Sequence, residues 1–148
     1  MRFIDANIFG HAFMKSRRRL SPTETKVKES AKKIILSLEK GERMSTTTVH
    51  ISEVLNILED NLGIEHATAF LTWVIATPNL VVYPVRIEDY ELAMTTKHIH
   101  PIGLNDSLAI HYMKREKILE IYSMDRHFDG LEYIERVTEP TKATLNPS

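Results

Sequence analysis

Apolar positions along this chain follow two rhythms, and the switch between them divides it into elements. Short runs of apolar and β-favouring residues predict strands: Phe3-Ile4, Met44-Ser45-Thr46, Leu80-Val81-Val82-Tyr83 and Leu119-Glu120-Ile121-Tyr122-Ser123, with an edge strand over 133–137. Between them, apolar residues recur at every third or fourth position, which predicts amphipathic helices. One such run is Ile8, Phe9, Ala12 and Phe13; the next is Val27, Ala31, Ile34, Ile35 and Leu38. Further stripes are Ile51, Val54, Leu55, Leu58 and Leu62, then Ala67, Phe70, Leu71, Val74 and Ile75, then Ile87, Tyr90 and Met94. A last helix is expected from Asn105 to about Glu116. Punctuation supports these bounds. Ser21-Pro22-Thr23-Glu24 has a capping serine, a proline at the first helical position and a glutamate that closes a capping box. Gly41, Gly63, Pro78 and Pro84 end or turn their neighbours. Residues 98–103 read as a loop, 126–130 as a turn and 138–148 as a flexible polar tail. Strands alternating with helices predict a single α/β domain over 1–137. Its centre is a parallel sheet of four to five strands flanked by helices on both faces.

In an open parallel sheet, ligands bind beyond the carboxyl ends of the strands. Asp5 stands where the first strand stops, and Asp125 just past the fourth. Glu53 and Asp106 fall in the first turns of helices. Singly, each has a bland reading: a helix start, a turn residue, a wet helix position. Placement is what distinguishes them, because right-handed winding sends all four to one edge. Two carboxylates about 4 Å apart repel by roughly 4 kcal/mol at an effective dielectric near 20. Four of them must take up protons or dications. Oxygen ligands without thiolates point to Mg²⁺ or Mn²⁺, which can activate water against a phosphodiester.

Composition removes several alternatives. There is no cysteine, hence no disulfide, thiolate zinc site or cysteine nucleophile. The glycines are isolated, so no phosphate-cradling loop exists, and no strained nucleophile elbow occurs. No run is long enough to span a bilayer, and the chain opens on a strand instead of a signal peptide, which predicts a cytoplasmic protein. The formal net charge of −1 conceals a segment, 15–43, with ten Lys/Arg against four Glu. Its loop residues Lys15, Arg17, Arg18 and Arg19 are candidates for holding a polyanion, though lysines on a solvated helix face are the plain alternative. His98 and His100 form a further ligand-like pair. Seven scattered histidines make that pairing unremarkable.

Four motifs, in order, resemble those of PIN-domain nucleases across about residues 2–137. They are Phe3-Ile4-Asp5-Ala6-Asn7, Ile51-Ser52-Glu53-Val54-Leu55, Asn105-Asp106-Ser107-Leu108-Ala109 and Ser123-Met124-Asp125-Arg126-His127-Phe128-Asp129. The resemblance implies an Mg²⁺- or Mn²⁺-dependent ribonuclease, commonly the toxin of a VapC-type toxin–antitoxin pair and often a homodimer. By that likeness Asp5, Glu53, Asp106 and Asp125 hold metal and activate water, Asn7 and Ser123 orient them, and Asp129 reaches metal through water. The helix over 21–41 and its basic loop are long compared with a minimal toxin of this type. Two other readings remain: a haloacid-dehalogenase-like phosphatase with Asp5 as nucleophile, and an inert PIN-like module that binds RNA or protein. The first would place a second aspartate where Asn7 stands.

Overall fold

In a computed structural model, which describes residues 1–99 and 102–141, the chain forms a five-stranded, all-parallel sheet. The strands are β1 (Arg2–Ile4), β2 (Met44–Thr47), β3 (Leu80–Tyr83), β4 (Glu120–Tyr122) and β5 (Glu135–Val137), in the order β3-β2-β1-β4-β5. The helices are α1 (Ala6–Phe13), α2 (Pro22–Glu39), α3 (Thr48–Leu62), α4 (Ile64–Ile75), α5 (Ile87–Ile99) and α6 (Leu104–Arg115). No helix among the described residues is long and apolar enough to cross a membrane.

The alternation of the short central strands sorts the core into two halves. Ile4 and Tyr122 face one way and join the apolar stripes of α1 to α4. Phe3 and Ile121 face the other and join Leu108, Ile110, Tyr112 and Met113 of α6. Leu38, Leu58 and Leu108 are at most 2% exposed, so truncating one to Ala would cost about 2–5 kcal/mol. Trp73 and Phe70 pack with Phe9 and Phe13 in an aromatic cluster on the first side, as their helical spacing predicts.

The ends of the elements follow local chemistry. Ser21 and Glu24 form the reciprocal capping box at the start of α2, and Gly41, at φ 120°, turns the chain out of it. α1 begins at Ala6, two residues earlier than its apolar run suggests, because the Asp5 side chain caps it. α5 runs to Ile99, so His98 and Ile99 belong to a helix and not to the expected loop; nothing in the sequence stops a helix before Pro101. The side chain of His98 and the whole of His100 lie outside the described residues, and the pair with them. Beyond β5, Glu139 accepts a hydrogen bond from Ser30 Oγ of α2 at 3.0 Å and Pro140 is buried.

The parallel arrangement puts the carboxyl ends of β1 and β4 side by side, with Phe3 opposite Ile121 and Ile4 opposite Tyr122. Asp5 and Ser123, the next residue of each strand, are therefore brought to the same edge. The N-termini of α1 and α3 open there too, since each follows directly on its strand.

Candidate active site

Asp5 is only 5% exposed and every oxygen of its carboxylate is engaged. Oδ1 accepts from Ala6 N at 2.8 Å. Oδ2 accepts from Ser123 Oγ at 2.7 Å and from Asn7 Nδ2 at 3.1 Å. Ser123 Oγ in turn accepts from Asp125 N at 3.0 Å, while Asn7 Oδ1 accepts from Met124 N at 3.2 Å. One serine and one asparagine thus tie the end of β1 to the turn after β4. Such donors ordinarily hold a carboxyl low. Here burial wins, helped by the charges of Asp106 and Glu53, and the Asp5 pKa rises to about 7 despite the Ser123 and Ala6 bonds.

Glu53, Asp106 and Asp125 line one open hollow of about 450 Å³, with Gly103, Leu104 and Asn105. Asp106 stands in the first turn of α6, where the helix dipole favours a carboxylate. Even so, burial and then the charge of Asp125 push its pKa up to about 6, against a smaller lowering by His127. Asp125 caps the short turn Arg126–Phe128, its Oδ1 accepting from His127 N at 2.9 Å and lying 3.1 Å from His127 Nδ1. Ligand atoms of Asp106, Asp125 and His127 all lie within 4.8 Å of one another. The four acids are therefore electrostatic neighbours, and no lysine or arginine lines the hollow among the described residues.

The other candidate residues lie apart from this group. Asp129 is gripped through both oxygens by Arg136, at 2.8 and 3.1 Å, and that fork holds its carboxyl below the ordinary range. It does not line the hollow. In the basic loop, Arg18 is forked by Glu24 at 3.1 and 2.6 Å. Arg17 donates to Asn61 O at the end of α3, and Lys15 Nζ lies 3.5 Å from His66 Nε2. The loop begins at the far end of α1 from Asp5, a helix length of about 12 Å. A larger apolar hollow of about 650 Å³ opens between α1 and α2, on the other side of Asn7 and Met124. Its one carboxylate, Glu24, is already taken by Arg18.

Two residues of this region escape a reading of the sequence. His127 sits beside Asp125 only because the turn folds back. Its sequence signal is the short Asp-Arg-His turn, in which an Asx-type bond brings the ring close. His50 is fully buried, with Nε2 at 4.0 Å from Asp5 Oδ1. It lies three residues before Glu53 on the inner stripe of α3, where a lone histidine reads as core.

The donor set fits a hard divalent cation: carboxylate oxygens from separate elements, two of them with raised pKa, and a single imidazole at the rim. A sequence-family model of the PIN domain matches residues 2–132. Among solved structures, the fold is similar to that of VapC20 from Mycobacterium tuberculosis, described as a toxin that cleaves the sarcin–ricin loop. The identity is 17% and the TM-score 0.70, over 90% of this chain and 97% of that one. It is also similar to a chain of a toxin–antitoxin complex from Klebsiella pneumoniae, at 13% identity and TM-score 0.63, over 91% and 96% of the two chains. No curated protein sequence matches.

Proposed function

We propose that this chain, which belongs to the PIN-domain family, is a divalent-cation-dependent endoribonuclease that acts on single-stranded or looped RNA. One observation carries the reading: Asp5, Glu53, Asp106 and Asp125 are electrostatic neighbours, no lysine or arginine lines the hollow of the last three among the described residues, and the repulsion adds to burial in pushing Asp5 up to about 7. Asp5, Glu53, Asp106 and Asp125 would hold Mg²⁺ or Mn²⁺, with the His127 ring available at the rim. When bound, the cation would offset their charge and act as Lewis acid toward water and a phosphodiester oxygen. Asn7 and Ser123 keep the Asp5 carboxylate in one orientation. One of these four carboxylates would accept the proton of the attacking water. Attack at phosphorus in line with the 3′-oxygen leaves a 5′-phosphate and a 3′-hydroxyl. No 2′-hydroxyl participates.

Lys15, Arg17, Arg18 and Arg19 would hold phosphates about one helix length from the acids. Asp129, paired with Arg136, would act only through water. The phosphatase alternative is not favoured: Asn7 spends its amide orienting Asp5 and Ser123. A small antitoxin-like partner and a homodimer belong to the same proposal, as does a cytoplasmic place beside RNA. The toxin–antitoxin complex among the similar folds supports the partner. The test is incubation of a labelled single-stranded RNA with the protein in Mn²⁺, in Mg²⁺ and in chelator. Cleavage only with cation, giving 5′-phosphate ends, is expected; cleavage that survives chelation, or 2′,3′-cyclic ends, would refute the mechanism.

A further inference from the structure

His50 stands one turn before Glu53 on α3, with its ring sealed in the core against the edge of Phe3, centroids 5.2 Å apart. Thr47 caps that helix, and its Oγ1 accepts from His50 N at 3.3 Å and lies 2.7 Å from His50 Nδ1. With the hydroxyl proton given to Nδ1, one of the two arrangements this contact allows, the neutral ring carries its own proton on Nε2. That atom is buried and has no hydrogen-bond partner among the described residues. The carboxylate oxygen it faces is Asp5 Oδ1, at 4.0 Å. The gap is about 1 Å longer than a hydrogen bond, and a modest approach of the carboxylate or one bridging water closes it. A ring used only for packing would leave a donor stranded at a cost of about 1–3 kcal/mol, which Phe or Leu would avoid.

We propose that His50 is a positioning residue for Asp5: held by Thr47, it presents Nε2–H to Oδ1 from inside the core and fixes that carboxylate for a divalent cation. The proposal rests on the nuclease reading for its catalytic consequence. Its consequence for cation binding stands without RNA. Among the described residues the other donors to Asp5 come from the start of α1 and the end of β4; His50 adds the support of α3, the helix that also carries Glu53. Partners of this kind typically change metal affinity or activity by about 10–100-fold when removed.

The test compares His50→Phe, which keeps the ring and removes the donor, with His50→Gln, whose amide restores an N–H near the Nε2 position. Mn²⁺ binding is read by calorimetry and RNA cleavage by initial rates, with thermal melts as the check on folding. His50→Phe should bind Mn²⁺ about tenfold more weakly and lose about 10–100-fold in kcat with KM little changed. His50→Gln should recover most of both. In an Asp5→Asn background, His50→Phe should change Mn²⁺ affinity no further. Wild-type affinity in a folded His50→Phe protein, or equal impairment in the Gln and Phe variants, overturns the proposal. Should Phe overfill the site, His50→Leu takes its place with the same expected losses. If the wild type binds Mn²⁺ yet leaves RNA whole, the nuclease reading falls while the affinity comparison still decides the role of His50. If it binds no Mn²⁺, both fall.

Discussion

Asp5 and Asp89 are both almost sealed from solvent, at 5% and 8% exposure, and each accepts a backbone N–H at the start of a helix. Their carboxyls nevertheless move in opposite directions. Asp89 is drawn down to about 2, first by the Arg86 N–H and then by Tyr112, with His111 at 3.0 Å adding to it. Asp5 is pushed up to about 7. At Asp89 the hydrogen bonds outweigh burial, at Asp5 burial outweighs the hydrogen bonds, and the company each keeps adds to the difference. Around Asp89 stand an imidazole, a phenol and, at 3.6 Å, the guanidinium of Arg115; around Asp5 stand Asp106 and Glu53. Glu42, at the opposite edge of the sheet, also has a guanidinium and a phenol beside it, Arg2 at 2.5 Å and Tyr122 at 3.0 Å. Asp89 and Glu42 each have a guanidinium within 4 Å, whereas the charged neighbours that shift Asp5 are acids, which is the imbalance the proposed cation would offset.

The sharpest way to break the comparison is to neutralise each aspartate in turn. Asp5→Asn should lower the rate of RNA cleavage in Mn²⁺ by on the order of 10³-fold or more while leaving the protein folded. Asp89→Asn should do the reverse, losing roughly 1–3 kcal/mol of stability to weakened charge-assisted bonds and keeping its cleavage rate per folded molecule. Urea unfolding and single-turnover cleavage measure both. Equal losses of activity in the two variants would show that the distinction between them is false.

Next in size is the dependence of stability on pH in chelator. Folded Asp5 keeps its proton up to about 7, whereas the unfolded residue ionises near 3.8. The folded chain binds more protons across that window, so this group costs stability as pH rises, on the order of 4 kcal/mol in all. His50 acts in the opposite sense. Burial lowers its pKa from 6.5 to about 4, so the unfolded chain binds more protons there and stability rises with pH, on the order of 3 kcal/mol. Asp106, raised to about 6, acts in the same sense as Asp5. Asp5→Asn removes the Asp5 contribution alone. Relative to the wild type, the variant should therefore gain on the order of 4 kcal/mol between pH 4 and pH 8 and exceed it in stability near pH 8. Parallel pH profiles for the two proteins would mean that Asp5 ionises normally. Mn²⁺ at about 100 times its Kd should add about 2.7 kcal/mol to the wild type at pH 8 and far less to Asp5→Asn.

Much of this was legible in the chain. The order of strands and helices follows from apolar spacing, and the start of α2 from Ser21-Pro22-Thr23-Glu24. Asp5, Glu53, Asp106 and Asp125 stand out by position, because strand ends and helix starts are read locally. What was not legible depends on which side chain meets which across the fold. His50 sits on an apolar stripe, and only its approach to Asp5 separates it from packing. Asp129 reads as a water-mediated ligand, and its pairing with Arg136 on β5 gives no signal in the sequence. Asp89 gives no signal at all in the sequence, since its partners Tyr112 and His111 come from α6.

The smallest effect carries the same lesson into the basic loop, where charges are again either matched or left open. Arg18 is exposed yet forked by Glu24, so its charge is balanced before any RNA arrives. Lys15 and Arg17 contact a histidine ring and a backbone carbonyl, which leave their charge in place. Counterion release rewards unbalanced charge, at about 0.7 of a unit of salt slope for each phosphate contact on a single strand. Lys15→Ala and Arg17→Ala should each weaken binding of a short single-stranded RNA about two- to threefold in moderate salt and flatten the slope by roughly that amount. Arg18→Ala should do less, because it frees Glu24 as it removes the cation. Fluorescence titration at three salt concentrations measures all three variants. If Arg18→Ala proves as damaging as Lys15→Ala, RNA has outcompeted Glu24, and pairing seen in the free protein would not tell which charges of this loop are engaged.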